Sequence, residues 1–267
     1  MDEIVVDATD VIGSVRLNRP DRGNSVTPAV ITEFGDAIQG LCDTDEVRAV
    51  VLTGTGSVFC AGADVREMYE VYQGDGPDGL MSYLGDVWMP AVQRTVRLIW
   101  GASKPIIAAF NGAATAGGLD FGLACDVRVA ASTARFAESY VNLGMVPVAG
   151  GAYLLPLVAG LPAATTLLAS GAFVDAGRAL ELGIVNEVCE PSELGDRARW
   201  WASELTHGPA ETFAQTKAIA RGVSAPAFEA ALQESLKANI ALIARPEVRE
   251  RILSVMERFS ISAARRG

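Results

Sequence analysis

The sequence contains a single histidine, His207, set in Thr206-His207-Gly208-Pro209 between two helical patterns. A Ser-His-Asp or Cys-His relay therefore has no evident base. G-x-S-x-G elbows, P-loops and H-E-x-x-H pairs are missing as well. The four cysteines, Cys42, Cys60, Cys125 and Cys189, show no C-x-x-C spacing and lie in apolar surroundings. That predicts buried free thiols rather than disulfides, and no metal site. No apolar run nears the roughly 20 residues that span a bilayer. The first ten residues, MDEIVVDATD, are acidic where a signal peptide is basic and then apolar. A soluble, cytoplasmic protein without membrane contacts is expected. Charged residues make up only 20% of the chain and the net charge is −10, with no basic stripe. This argues against a nucleic-acid groove or an anionic membrane surface.

What the sequence does have is apolar content: 50% hydrophobic over 267 residues. That length suits one α/β core with an appendix, and the apolar load predicts burial against other subunits. The most organised stretch is Lys104 to Val129. Lys104-Pro105 opens a buried strand, Ile106 to Phe110, which Asn111-Gly112 breaks. A loop of small residues, Ala113 to Ala116, follows. Gly117-Gly118 then starts a short helix whose free N–H groups point at whatever lies above it. A second glycine turn, Gly54 to Met68, follows a strand over Val47 to Thr53. Its Gly54-Thr55-Gly56 fails as a dinucleotide fingerprint, because Phe59 stands where a third glycine is needed. Asp64 is placed to cap a helix from Val65 to Tyr72.

Together with Leu17-Asn18-Arg19-Pro20 to Asn24, Phe136, Leu143-Gly144, Pro147 to Gly151 and Leu182 to Asn186, these segments resemble the enoyl-CoA hydratase/isomerase (crotonase) superfamily over nearly the whole chain. The resemblance implies an α/β fold, a spiral of ββα turns over residues 1–200, and a helical C-terminal trimerisation region over 201–267. It implies an acyl-CoA substrate, no metal or redox cofactor, and a homotrimer or dimer of trimers. It places the N–H groups of Ala63 and Gly117 on the thioester oxygen. Arg22, Ala61, Ala63, Asp64, Val65 and Gly117 would contact the CoA moiety.

The family's hydratases usually carry two glutamates, and this sequence departs at both positions. The first is Asp120, still a carboxylate, expected as the acid–base group at the reacting carbons. The second is Tyr140, whose ordinary pKa of about 10 rules it out as a neutral-pH base. It can still donate a hydrogen bond or a proton. Glu138, two residues before Tyr140, would share its face on a strand and could serve as a shifted acid, but an exposed salt-bridge residue is the leading expectation. Val148 stands where some family dehalogenases carry a nucleophilic aspartate, which argues against covalent displacement. Hydration of a 2-enoyl-CoA is the leading expectation, followed by double-bond isomerisation, then thioester hydrolysis or decarboxylation. A non-catalytic CoA-binding subunit is the alternative from another class.

Elsewhere, Ile4 to Ala8 and Val11 to Asn18 read as strands, and Thr27-Pro28 begins a helix to about Leu41. Gln73 to Gly79 reads as a flexible loop, with a helix from Leu80 towards Ile99. Met68, Tyr83, Trp88 and Met89 are candidates for an acyl pocket. From Gly150 the pattern is helical, interrupted by one strand over Ile184 to Val188.

Overall fold

The computed structural model describes residues 2–264. Strands β1 (Ile4–Thr9) and β2 (Ile12–Leu17) form an antiparallel hairpin through Asp10, whose φ of 53° is left-handed. Thr27 caps helix α1 (Pro28–Asp43): its hydroxyl accepts the Val30 N–H at 3.2 Å, and proline occupies the first helical position. The remaining strands are β3 (Ala49–Gly54), β4 (Val58–Cys60), β5 (Ile106–Phe110), β6 (Ala113–Thr115), β7 (Val127–Ala131), β8 (Arg135–Ala137), β9 (Val174–Asp175) and β10 (Glu187–Cys189). From β3 to β8 successive strands alternate between two sheets, ordered β1-β2-β3-β5-β7-β10 and β4-β6-β8-β9. Apart from the β1–β2 and β8–β9 pairs, every pairing is parallel. This alternation is the expected spiral of ββα turns.

The helices after α1 are α2 (Val65–Ser82), α3 (Met89–Gly101), α4 (Gly117–Ala124), α5 (Gly151–Ala159), α6 (Leu161–Ser170), α7 (Ala176–Glu181), α8 (Leu194–Thr206), α9 (Ala210–Gly222), α10 (Ala225–Ile243) and α11 (Pro246–Ala264). Both faces of the central strands are covered, which is why Ile106–Phe110 and Val127–Ala131 are buried throughout and, Arg128 apart, apolar. Leu194, Ala198 and Ala202 of α8 close one face. On the other face, Phe110 meets Phe59 edge-on at 4.7 Å and Phe136 at 4.9 Å. These contacts join β4, β5 and β8, each adding about 0.5–1.5 kcal/mol beyond burial. No described helix is long and apolar enough to cross a membrane.

Several expectations need correction. Residues 73–79 are not a loop: α2 runs through them and breaks only at Gly76, where φ is 70° ahead of Pro77. The small-residue loop after Gly112 contains β6, a strand too short to carry a periodic signal of its own. The strand expected over Ile184 to Val188 begins only at Glu187. Ile184 and Val185 instead donate their N–H groups to Ala179 O at the end of α7, and their side chains plug the core there. The boundary at residue 200 falls inside α8, which packs on the sheet and belongs to the core. The tail beyond it is helical as expected, and residues 265–267 lie outside the described residues. Cys60 and Cys125 are buried free thiols, while Cys42 and Cys189 are half-buried.

One buried ion cluster fixes this tail to the sheet. Asp126 Oδ2 accepts the Ile106 N–H and meets Lys217 Nζ, both at 2.8 Å, and Asp126 Oδ1 meets Arg221 at 2.8 Å. Burial lowers the pKa of Lys217, so its charge depends on this carboxylate. Asp126→Ala should therefore cost about 3–5 kcal/mol, because buried Lys217 and half-buried Arg221 lose their anion. Asp7→Ala, at the exposed Arg16–Asp7 pair, should cost under about 1 kcal/mol. Urea denaturation of the two variants checks the contrast.

Candidate active site

Strand β4 runs into Ala61-Gly62-Ala63-Asp64 and then α2; strand β6 runs into Ala116 and then α4. Because β4 and β6 pair in parallel, both loops leave the sheet at the same end. Thr115 Oγ1 donates to Ala61 O at 3.0 Å and ties them together. Gly62 has φ 85°, and a methyl group on it would lie 3.6 Å from Gly117 N and 3.1 Å from Thr115 O. Glycine is what allows the loops to touch. Ala116 adopts φ 49°, ψ −124°, a conformation sparsely populated outside glycine and costing about 1–3 kcal/mol. The strain sits directly before Gly117, the first residue of α4. Among the described residues, no acceptor faces the N–H of Ala63 or of Gly117.

Asp64 caps α2 by accepting the Arg66 N–H at 3.1 Å, and its other oxygen meets Arg19 Nη2 at 3.1 Å. Arg19 is itself held by Ser25 O and, through its backbone N–H, by Asn24 Oδ1. This gives the Leu17 to Asn24 motif a physical role: it anchors the loop that presents Ala63. The Asp64 carboxylate is thus committed to protein contacts, and only the residue's position on the wall remains available to a ligand.

A cavity of about 610 Å³ opens above the two loops. Arg22, Ala61, Ala63, Asp64, Val65, Gly117 and Tyr140 all line it, so the structure brings the expected binding residues together. Arg22 is exposed on its rim. Met68, Leu84, Trp88 and Met145 form an apolar portion, joined by Val255 from α11. Of the acyl-pocket candidates, Tyr83 is instead turned to Glu67, 3.1 Å from its hydroxyl, and Met89 is buried in the core. His207 is exposed, its ring beside Glu204 O.

Asp120 departs from expectation: it is 0% exposed and does not line the cavity. Tyr140 stands between them, donating its hydroxyl to Asp120 Oδ2 at 2.9 Å. A methyl group on Gly117 would lie 3.4 Å from the same hydroxyl, so Tyr140 is next to the candidate donor. Glu138 was expected on the surface in a salt bridge, yet it is 1% exposed, forms no ion pair among the described residues and turns inward to Asp120. The strand ends at Ala137 and a 3-10 turn over Ser139–Leu143 follows, which swings Glu138 and Tyr140 together onto α4. The proximity of Glu138 had no sequence signal beyond its spacing from Tyr140.

The model of the family described as enoyl-CoA hydratase/isomerase matches residues 7–261. The chain belongs to the enoyl-CoA hydratase/isomerase family. A short-chain-enoyl-CoA hydratase of Clostridium acetobutylicum is 34% identical over 225 residues, 84% of this chain and 83% of that protein. A 1,2-epoxyphenylacetyl-CoA isomerase of Escherichia coli is 34% identical over 73% of each chain. The crystal structure of an enoyl-CoA hydratase from Mycobacterium avium subsp. paratuberculosis superposes with a TM-score of 0.82 at 28% identity, covering 94% of this chain and 98% of the other. Family relatives with such different reactions share the scaffold, so the chemistry of this enoyl-CoA hydratase/isomerase homologue turns on its own side chains.

Those side chains are held out of their ordinary ionisation ranges. Burial, opposed by the contacts with Glu138, Tyr140 and the Ala149 N–H, pushes Asp120 up to about 7. Burial and the Asp120 charge raise Glu138 well above the carboxylate range, and burial raises Tyr140 well above the phenol range. A folded-state pKa above the unfolded one means the native state binds more protons. Stability from Asp120 is then fully present below its ordinary 3.8 and is lost as pH rises through about 7. Denaturant midpoints at about pH 5 and about pH 7.5 should differ by less in Asp120→Asn than in the unaltered protein, which loses stability across that interval.

Proposed function

We propose that the chain moves a proton at the α-carbon of an acyl-CoA thioester, and that double-bond isomerisation is its reaction. The observation that carries this reading is the Tyr140 hydroxyl, beside Gly117 and donating to Asp120 at 2.9 Å. The thioester oxygen accepts the N–H groups of Ala63 and Gly117, which stabilise the enolate; α4 adds the positive end of its dipole at Gly117. Asp120 is the base and Tyr140 only its relay: the α-proton passes to the Tyr140 oxygen as the tyrosine's own proton passes to Asp120 Oδ2. The C–H bonding pair becomes a C1–C2 double bond, and the carbonyl pair moves onto oxygen. On return, Asp120 reprotonates Tyr140 while Tyr140 protonates C4 of a 3-enoyl chain, leaving the conjugated 2-enoyl thioester. Tyr140 is never a free phenolate, consistent with its raised pKa.

Hydration, the leading expectation from the sequence, becomes the second reading. It needs a carboxylate to orient water together with a group that delivers a proton. The carboxylates on the cavity wall are Asp21 and Asp64; Asp64 is bound by Arg19 and the Arg66 N–H, and Asp21 is exposed. Arg22 and the apolar wall suit a CoA phosphate and an acyl chain, respectively. Exposed Leu157 and Leu161 near the α5–α6 junction, with Val223 after α9, support the expected oligomer.

Two assays test the reading. A 3-enoyl-CoA should be conjugated faster than a 2-enoyl-CoA is hydrated, and Tyr140→Phe should remove at least about 100-fold of the isomerase rate. Hydration that survives Tyr140→Phe would favour the second reading. CoA binding without turnover of any acyl-CoA would favour a binding subunit. Ala63→Pro deletes one oxyanion donor, and kcat/KM of the folded variant should fall about 100-fold or more. An unchanged rate would remove Ala63 from the site.

A further inference from the structure

Three carboxyl oxygens behind Tyr140 lack any donor in the structure: Asp120 Oδ1 and both oxygens of Glu138. Buried acceptors without donors are costly, and no cation forms an ion pair with either group among the described residues. Both side chains converge on the first residue of α5. A methyl group at Gly151 would overlap Asp120 Oδ1 and lie 2.7 Å from Glu138 Oε1. Gly151 is therefore the bare floor on which the two carboxyl groups meet. Two carboxylates in such a dry space cannot both be ionised, whereas one proton between them supplies the missing donor.

We propose that Glu138 is the protonated half of a carboxylic acid–carboxylate pair with Asp120, and that it positions Asp120 to take the proton of Tyr140. The proton resides on Glu138 because Asp120 has another donor, the Tyr140 hydroxyl on Oδ2. Glu138 has none. The titratable groups facing Glu138 are Asp120 on α4 and Tyr140 on the 3-10 turn, while α5 presents backbone at Gly151. The dipole of α5 favours a single negative charge at this spot. Burial and the neighbouring charge raise the acidity midpoint of Glu138, in keeping with the neutral form. Glu138 does not line the cavity, so it is a positioning residue that acts through Asp120.

The catalytic part of the proposal rests on the isomerase reading, and its test has one arm that does not. In protein carrying carboxyl-labelled glutamate, the Glu138 resonance, identified by its loss in Glu138→Gln, should be protonated at neutral pH. In Asp120→Asn its midpoint should fall by about one pH unit or more, since the neighbouring charge is gone. An ionised Glu138 at neutral pH, or a midpoint unmoved by Asp120→Asn, overturns the pair whatever the enzyme's reaction. The second arm is kinetic. Glu138→Gln keeps a neutral donor and should retain activity within about 10-fold with an unchanged acid limb. Glu138→Leu removes the donor, and the acid limb of kcat/KM should rise by about one pH unit with KM little changed. Coincident profiles for Gln, Leu and unaltered protein would show that Glu138 only fills space. Loss of isomerase activity in the unaltered protein, with the resonance shift intact, would sink the reaction and leave the pair standing.

Discussion

Two peptide N–H groups from neighbouring loops, those of Ala63 and Gly117, stand on the wall of one cavity without an acceptor among the described residues. The rest of the structure follows from holding that arrangement. Short strands β4 and β6 bring the loops level, and the Phe59–Phe110–Phe136 contacts lock the small sheet to the large one beneath it. Arg19 and Asp64 hold one loop from the side, and Ala116 bears a strained conformation in the other. A chain can tolerate such strain only where packing over-determines it, and the fully buried α4 provides that packing.

Much of this was legible in the sequence, and what was not has physical reasons. The long parallel strands announce themselves through continuous apolar runs such as Ile106 to Phe110, and the helices of the tail through periodicity. The second sheet is almost silent. Its strands are two or three residues long, so they exist only because neighbours supply hydrogen-bond partners. The loops around Ala63 and Gly117 could be found from their glycines, and the cavity does join them with Arg22 and Tyr140. Asp120 could be named but not placed, because nothing local says that Tyr140 will shield it from the cavity. Glu138 was misjudged for the usual reason that a charged residue is assumed to be exposed.

Setting two acids in a dry pocket has a cost in stability and a use in chemistry. An isolated buried carboxylate would give up water for nothing, whereas a pair sharing a proton replaces part of that solvation. The arrangement also lifts Asp120 towards neutrality, where it exchanges protons most readily at physiological pH. A tyrosine in front of it extends the reach of that carboxylate into the cavity without admitting water to it.

Tyr140 approaches from one side only, next to Gly117, while the thioester plane would be pinned by two backbone donors. An enolate held flat in this way exposes one face to the phenol and turns the other to the opposite wall. In the proposed isomerisation, departure and return of the proton then take place on the same face, making the transfer suprafacial. Which of the two hydrogens at C4 the returned proton becomes is then set by the backbone, in the position of a single turn after β8.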